Sequence, residues 1–389
     1  MNNLQDLMPE KEMITWRRHL HENPELSFHE VETAKYIKQV LADFPNLEVT
    51  TLTENSVIAT LTGNKPGKTI ALRADIDALP IIEESDVAFP SKNPGVMHAC
   101  GHDTHTAMLL GAVKVLTGMQ DKIAGVVKFI FQPAEEEPPG GAKLLVEAGV
   151  MDDVDMVFGL HIAPNIPVGM IGTRTGALTA ASDVFTLKIQ GKGSHGSTPE
   201  LSVDSILVGV EIINNLNHIV SRNISPFSNA VISIGEFNAG KTQNVIPDTA
   251  RIQGTVRTND KEVRLFIKKR IEETIAGICS VYGATYELDY LFGYSQVVND
   301  EAATNIVDTV AKKVVGQEKI FGAPQMMGGE DFSAYTDVKQ GSFFILGGGT
   351  EKEGCGYMNH HPKFKIMEEC FKVGAAMHTQ IVLDVLGQE

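Results

Sequence analysis

Met97-His98-Ala99-Cys100-Gly101-His102-Asp103-Thr104-His105-Thr106 places three histidines, a cysteine and an aspartate within ten residues. Nowhere else does the chain concentrate metal-binding atoms so tightly. Cys100 and His102 stand two apart, so an extended or turning backbone points both side chains the same way. A thiolate and an imidazole presented together make half of a tetrahedral metal shell. The stretch Ala107 to Leu116 that follows is apolar nearly all round and reads as a buried helix. The motif then lies in the loop entering that helix, where backbone N–H groups favour an anionic ligand such as a thiolate. A single cysteine or histidine is more often core than ligand, but a cluster of this density points to metal.

Three apolar runs around the motif read as strands, and each leads into ligand-type side chains. Thr69 to Asp75 continues into Arg73-Ala74-Asp75-Ile76-Asp77-Ala78-Leu79-Pro80, whose two aspartates suit ligands, the orientation of ligands, or a solvated loop. Val126 to Phe131 ends in Gln132-Pro133-Ala134-Glu135-Glu136-Glu137, and Asp155 to Leu160 ends in His161. Open α/β sheets place their sites at such carboxyl ends. An acidic run is usually a solvated face, yet Glu135 to Glu137 directly follows a core strand. Adjacent glutamates with different tasks suit metal-assisted hydrolysis, one binding the ion and the other taking a proton from the attacking water.

Upstream, Met13 to Glu22 predicts a helix that Asn23-Pro24 stops. Ser27-Phe28-His29-Glu30 has the spacing of a capping box, followed by Val31, Ala34, Ile37, Val40 and Leu41 at helical intervals. On this reading His19, His21 and His29 are surface or capping residues. Val57 to Leu61 predicts a further strand.

From Ser182 the pattern changes. Strand Val184 to Ile189 leads into Gly191-Lys192-Gly193-Ser194-His195-Gly196 and a helix over Asp204 to Ile219. Strands at Ala230 to Phe237 and Thr249 to Arg257, a helix over Asp260 to Tyr282 and a strand at Thr285 to Leu291 complete a βαββαβ order. That order is ferredoxin-like and folds as an insert. Helix–strand alternation then resumes with Asp300 to Val315, Phe343 to Leu346 and Glu368 to Leu386. The chain reads as a discontinuous α/β domain interrupted by a smaller α+β domain.

Composition bounds the function. A chain of 389 residues exceeds one ordinary core, and 43% hydrophobic with 21% charged residues fits a soluble globular protein. A formal net charge of −16 argues against nucleic-acid or anionic-membrane partners. Cys100, Cys279, Cys355 and Cys370 follow no framework spacing, which predicts a reducing compartment. Met1 to His21 carries no apolar signal region, and no later stretch is long enough to span a bilayer. The expected location is the cytoplasm.

These residues together resemble the amidohydrolase branch of the aminoacylase and zinc-exopeptidase family. That branch includes hippurate hydrolases, N-acyl-L-amino acid amidohydrolases and auxin–amino-acid conjugate hydrolases. The resemblance runs from His21-x-x-Pro24-Glu25 through Arg73 to Pro80, Cys100-Gly101-His102-Asp103 and Gln132 to Glu136. It continues through Gly159-Leu160-His161, Asn244-Val245-Ile246-Pro247-Asp248 and Gly328-Gly329-Glu330-Asp331-Phe332. It implies a zinc-exopeptidase-like catalytic domain, a mixed sheet flanked by helices, over 1–181 and 296–389. A ferredoxin-like lid and dimerisation domain over 182–295 interrupts it.

By the same resemblance, Cys100, His102, Glu136, His161 and His360 hold two divalent ions, manganese or zinc, with nickel and cobalt also described in the family. Cys, His and Glu donors together lean towards zinc. Glu135 is the implied base, and His195 or Asn244 the implied donor to the oxyanion. The implied reaction is hydrolysis of an N-acyl amino acid to a carboxylic acid and a free amino acid, in a homodimer whose His195 reaches the neighbouring site. Three features depart from the family pattern. Glu137 stands where Gly is common, Pro199-Glu200 replaces a Pro-His pair, and His360-His361 leaves the late ligand open by one residue, His360 alone standing two before Pro362. Rival readings are a dipeptidase or carboxypeptidase of the same architecture, a thiol hydrolase using Cys100 and His102, and a non-catalytic metal-binding protein.

Overall fold

The structure is a computed structural model and describes residues 4–387. Two units emerge, one running to Leu178 with Val297–Pro324 and everything from Asp331 onward. The other comprises Thr179–Gln296 together with Gln325–Glu330. That last segment was expected within the larger domain. It joins the smaller unit because Ala180 donates its N–H to Gly328 O at 3.0 Å and Asn259 Nδ2 donates to Met326 O at 3.2 Å.

The larger unit is built on an eight-stranded sheet. Its order is Leu47–Thr50, Val57–Thr62, Ala124–Gln132, Lys65–Asp75, Met156–Ala163, Gln340–Gly347, Ile171–Thr173 and Ile320–Gly322. Ala124–Gln132, Lys65–Asp75, Met156–Ala163 and Gln340–Gly347 are mutually parallel, and antiparallel partners flank them. Parallel strands are covered on both faces, which explains why Thr69 to Asp75 and Phe129 to Gln132 are buried without alternation. The helix His102–Thr117 is buried except at Lys114 and Val115. Its packing is close enough that a Cβ on Gly111 would lie 2.4 Å from Met13 Sδ. The helices Glu10–Glu22 and Phe371–Leu386 share the core with it.

Two N-terminal expectations are corrected. The Ser27-to-Glu30 spacing is not used as a capping box: Val31–Ala42 begins after Glu30 with no side-chain cap from that residue. Glu25 receives the first helical N–H groups instead, Glu32 at 3.2 Å and Thr33 at 2.8 Å, which frees Ser27 and Glu30 for partners elsewhere. His21 is not a surface residue. It is 1% exposed, with Nδ1 2.7 Å from Asp103 Oδ2 and Nε2 3.1 Å from Glu83 Oε1.

The smaller unit carries an antiparallel four-stranded sheet in the order Ala230–Ala239, Thr249–Thr258, Ala181–Gln190 and Thr285–Leu291. With helices Ser205–His218 and Lys261–Tyr282 this is the ferredoxin-like order. Phe185, Leu187, Ile189, Ile212, Ile267, Ile271 and Ile275 form its own core. Among the described residues no helix is long and apolar enough to cross a membrane.

Candidate metal centre

Glu135 and Glu136 follow the strand Ala124–Gln132, His161 lies in Met156–Ala163, Cys100 and His102 stand at the start of the helix His102–Thr117, and His360 comes from a late turn. Cys100 and His102 flank Gly101, which has φ +91° and caps the helix His102–Thr117. A side chain at Gly101 would be strained in that conformation, and its Cβ would lie 2.5 Å from Ile162 Cγ2. Ligand atoms of Cys100, His102 and His161 lie within 4.8 Å of one another, as do those of Cys100, Glu136 and His360, and those of His102, Glu135 and Glu136. The five expected ligands and Glu135 are therefore brought together by geometry.

Hydrogen bonds set which ring nitrogen each histidine presents. His102 Nδ1 is 3.0 Å from both the carbonyl and Oδ1 of Asp77. Both are acceptors, so Nδ1 carries a proton and Nε2 is the nitrogen left for a metal. His161 donates Nδ1–H to Ile162 O at 2.7 Å, leaving Nε2 3.3 Å from Cys100 Sγ. The two late histidines are placed differently. His360 Nε2 lies 3.2 Å from Glu136 Oε1. His361 stacks on Tyr357 and accepts Lys363 N–H at Nδ1, so it is already engaged.

The remaining histidines and acids of the opening motif have other work. His105 donates Nδ1–H to Asp75 Oδ1 at 2.6 Å and accepts Ile162 N–H at Nε2, 2.9 Å. Asp103 accepts from Arg17 Nε at 2.8 Å and bonds His21. Arg73, fully buried, donates to Gln132 Oε1, Asp75 Oδ2 and Asp331 Oδ1 at 2.8, 2.7 and 2.7 Å. Asp331 Oδ2 also accepts Gln132 Nε2 at 2.7 Å and Ala142 N–H at 3.0 Å. The sequence left the roles of Asp75 and Asp77 open; in the structure Asp77 bonds the candidate ligands His102 and Glu136, while Asp75 bonds His105 and Arg73. Arg73, Gln132, Asp331 and His105 stood inside quoted motifs but were given no role. For Arg73, Gln132 and His105 the physical signal was a polar residue within an apolar strand or helix; Asp331 lies in a turn.

Electrostatics show what the site requires. Burial alone would depress His102, but Asp75, Asp77 and Glu136 overcome it and raise its pKa to about 10. Burial and the carboxylates of Glu136, Glu135 and Asp75 push the Cys100 thiol well above its usual range. His161 is held neutral, near 3, by burial and by His105. Among the described residues, two buried atoms at the centre make no hydrogen bond: His102 Nε2, and Glu136 Oε1, which His360 Nε2 approaches to 3.2 Å without hydrogen-bond geometry. Buried polar atoms without partners are costly. A surplus of carboxylates around S, N and O donors is the arrangement that divalent cations satisfy, and the residues present fit them.

His195 and Asn244 lie on the smaller unit. Ser194–His195 pairs antiparallel with Val245–Ile246, and Gly196 N–H reaches Asn244 O at 2.8 Å. Ser197 donates its N–H to His195 Nδ1 at 3.1 Å, which leaves the ring proton on Nε2. His195 is thus a preset donor, and it is exposed.

The sequence profile of Peptidase family M20/M25/M40 matches residues 71–384. The N-acyl-L-amino acid amidohydrolase of Geobacillus stearothermophilus is 48% identical over 288 residues, covering 74% of this chain and 78% of that protein. Thermostable carboxypeptidase 2 of Saccharolobus solfataricus is 43% identical over 380 residues, covering 96% of each. Among solved structures, the Bacillus subtilis YXEP protein, a dinuclear metal binding peptidase from the M20 family, superposes with a TM-score of 0.85. It is 38% identical, over 97% of this chain and 98% of that one.

Proposed function

The chain belongs to peptidase family M20/M25/M40, and on that premise we propose that it is a metal-dependent amidohydrolase cleaving the amide bond of N-acyl amino acids. The products are a carboxylic acid and a free amino acid. The observation that carries this is the adjacency of Glu135 to a five-residue ligand cluster: Glu135 Oε2 lies 4.0 Å from His102 Nε2. The N-acyl-L-amino acid amidohydrolase relative supports the substrate class, and the carboxypeptidase relative keeps peptide cleavage as the second reading.

Cys100, His102, Glu136, His161 and His360 hold two divalent ions, zinc or manganese. Bound there, such ions supply the charge that lowers the pKa of water and polarises the amide carbonyl. Glu135 takes the proton of the attacking water on a carboxylate oxygen and returns it to the leaving amine nitrogen. Asp77 and the Ile162 carbonyl hold the His102 and His161 rings in the tautomers that ligation needs. His195 Nε2–H and Asn244 are the donors to the developing oxyanion.

The protein acts as a homodimer through the smaller unit. Ala230–Ala239 is an edge strand of its sheet, and Leu207 and Val210 on Ser205–His218 are exposed, 57% and 39%. An open edge beside exposed apolar side chains is a surface that pairing covers. A cytoplasmic location fits four buried, unpaired cysteines.

Replacement of Glu135 by Gln tests the assignment. E135Q keeps its metal, measured by elemental analysis, and loses several orders of magnitude in turnover of N-acetyl amino acids, because a carboxamide takes no proton. E136Q loses metal instead. Near-normal turnover in E135Q would overturn the base.

A further inference from the structure

Glu30 stands outside the ligand cluster, yet it is 0% exposed and spends its carboxylate on backbone. Its Oε1 accepts two N–H groups, Phe28 at 3.0 Å and Ala134 at 2.7 Å. Oε2 receives only a long 3.4 Å contact from Asn55 Nδ2. Ala134 immediately precedes Glu135 and has φ +52°, a left-handed conformation that a residue with a Cβ adopts at a cost. Its carbonyl accepts Gly141 N–H at 2.8 Å, so both faces of this unfavourable residue are held.

The other flank of Glu135 is tied to the same loop. Glu136 donates its N–H to Asp77 Oδ2 at 2.9 Å, and that oxygen also accepts the Ser27 hydroxyl at 2.7 Å. Glu135 is thus suspended between two carboxylates, one supplied by the 27–30 loop and one braced by it. Phe28, at φ +66°, shows that the loop itself is bent to make these bonds.

We infer that Glu30 is a positioning residue for Glu135. Its Oε1 anchors the Ala134 peptide in the left-handed conformation that aims the Glu135 carboxylate at the ligand cluster. The inference rests on the assignment of Glu135 as the base. It is the acceptor oxygen that matters here, and the charge on Glu30 is dispensable. An error of about 1 Å in a reacting group costs up to about 100-fold in rate.

Two conservative variants separate the alternatives in the metal-loaded enzyme with N-acetyl-L-methionine. Glu30→Gln keeps Oε1 and removes the charge; Glu30→Asp keeps the charge and withdraws the oxygen by one methylene. The expected result is near-wild-type kcat for E30Q, and for E30D a kcat lower by about 10- to 100-fold with KM little changed. Amide hydrogen exchange over the peptide containing Ala134 gives a readout independent of activity: faster in E30D, unchanged in E30Q. A folded, metal-loaded E30D with normal kcat overturns the inference, as does an E30Q as impaired as E30D. E135Q run alongside distinguishes the failures. If E135Q is inert while E30D is normal, only the role of Glu30 falls; if E135Q turns over normally, the base and this inference fall together.

Discussion

His102 Nδ1 donates to Asp77, 3.0 Å from its Oδ1, while the other oxygen of the same carboxylate receives the Glu136 N–H at 2.9 Å. One aspartate therefore orients two of the candidate ligands, one through each carboxylate oxygen. Partners of this kind fix ring orientation and ligand basicity.

Asp77→Ala should weaken metal binding by about 10- to 100-fold while the fold is retained. Competition against a chelating dye measures it directly. Unchanged affinity would mean that His102 is oriented by its surroundings without Asp77.

Metal removal should lower stability. Burial opposes ionisation of Asp75, yet Arg73, His102 and His105 keep its carboxyl well below the usual range, so the site stays charged without ions. A ligand present at about 100 times its Kd stabilises a fold by about 2.7 kcal/mol. Scanning calorimetry with and without chelator should show a lower Tm after chelation, restored by zinc or manganese.

Asp331→Ala should destabilise the larger unit by about 3–5 kcal/mol, because it strips one partner from a buried arginine. Arg73 would keep Asp75 and Gln132 but lose Asp331, and Ala142 N–H at the start of the helix Gly141–Glu147 would lose its acceptor. Urea unfolding monitored by circular dichroism checks the size. A change within about 0.5 kcal/mol, the range of an ordinary surface substitution, would show that the network is replaceable.

A fragment spanning Thr179–Gln296 should fold alone. Its buried carboxylate, Asp183, has its partners inside the fragment, Arg264 Nε at 3.1 Å and Tyr290 Oη at 2.9 Å. Dispersed amide resonances and cooperative melting are expected. A collapsed, poorly dispersed spectrum would show that the larger unit is needed.

Complementation tests whether His195 serves the partner's site. Inactive H195A mixed with inactive E135Q should recover about a quarter of wild-type activity at random exchange of equal amounts, since half the dimers are mixed and each has one intact site. Verified exchange without recovery would place His195 in its own subunit's site or in none.

Local periodicity and strong punctuation made much of the architecture legible in the sequence. The strand Thr285–Leu291 begins and ends where its alternating, β-branched and aromatic residues begin and end. The helix expected over Asp260 to Tyr282 differs only in that Asp260 is its cap, its side chain accepting the Val263 N–H. The family motifs, each a short ordered string, were equally plain because their chemistry is local.

Only the tertiary structure could allot tasks among identical side chains. His98, His102 and His105 sit within eight residues, yet their roles depend on what lies across the sheet. His102 meets Asp77 and offers Nε2, His105 spends both nitrogens on Asp75 and Ile162, and buried His98 is kept neutral, near 4, chiefly by desolvation. The same holds for Ser27 and Glu30, whose spacing matched a helix cap. Apart from the Phe28 N–H that Glu30 also accepts, their hydrogen bonds to Asp77 and Ala134 reach 50 and 104 positions along the chain, and spacing carries no information about contacts at that range.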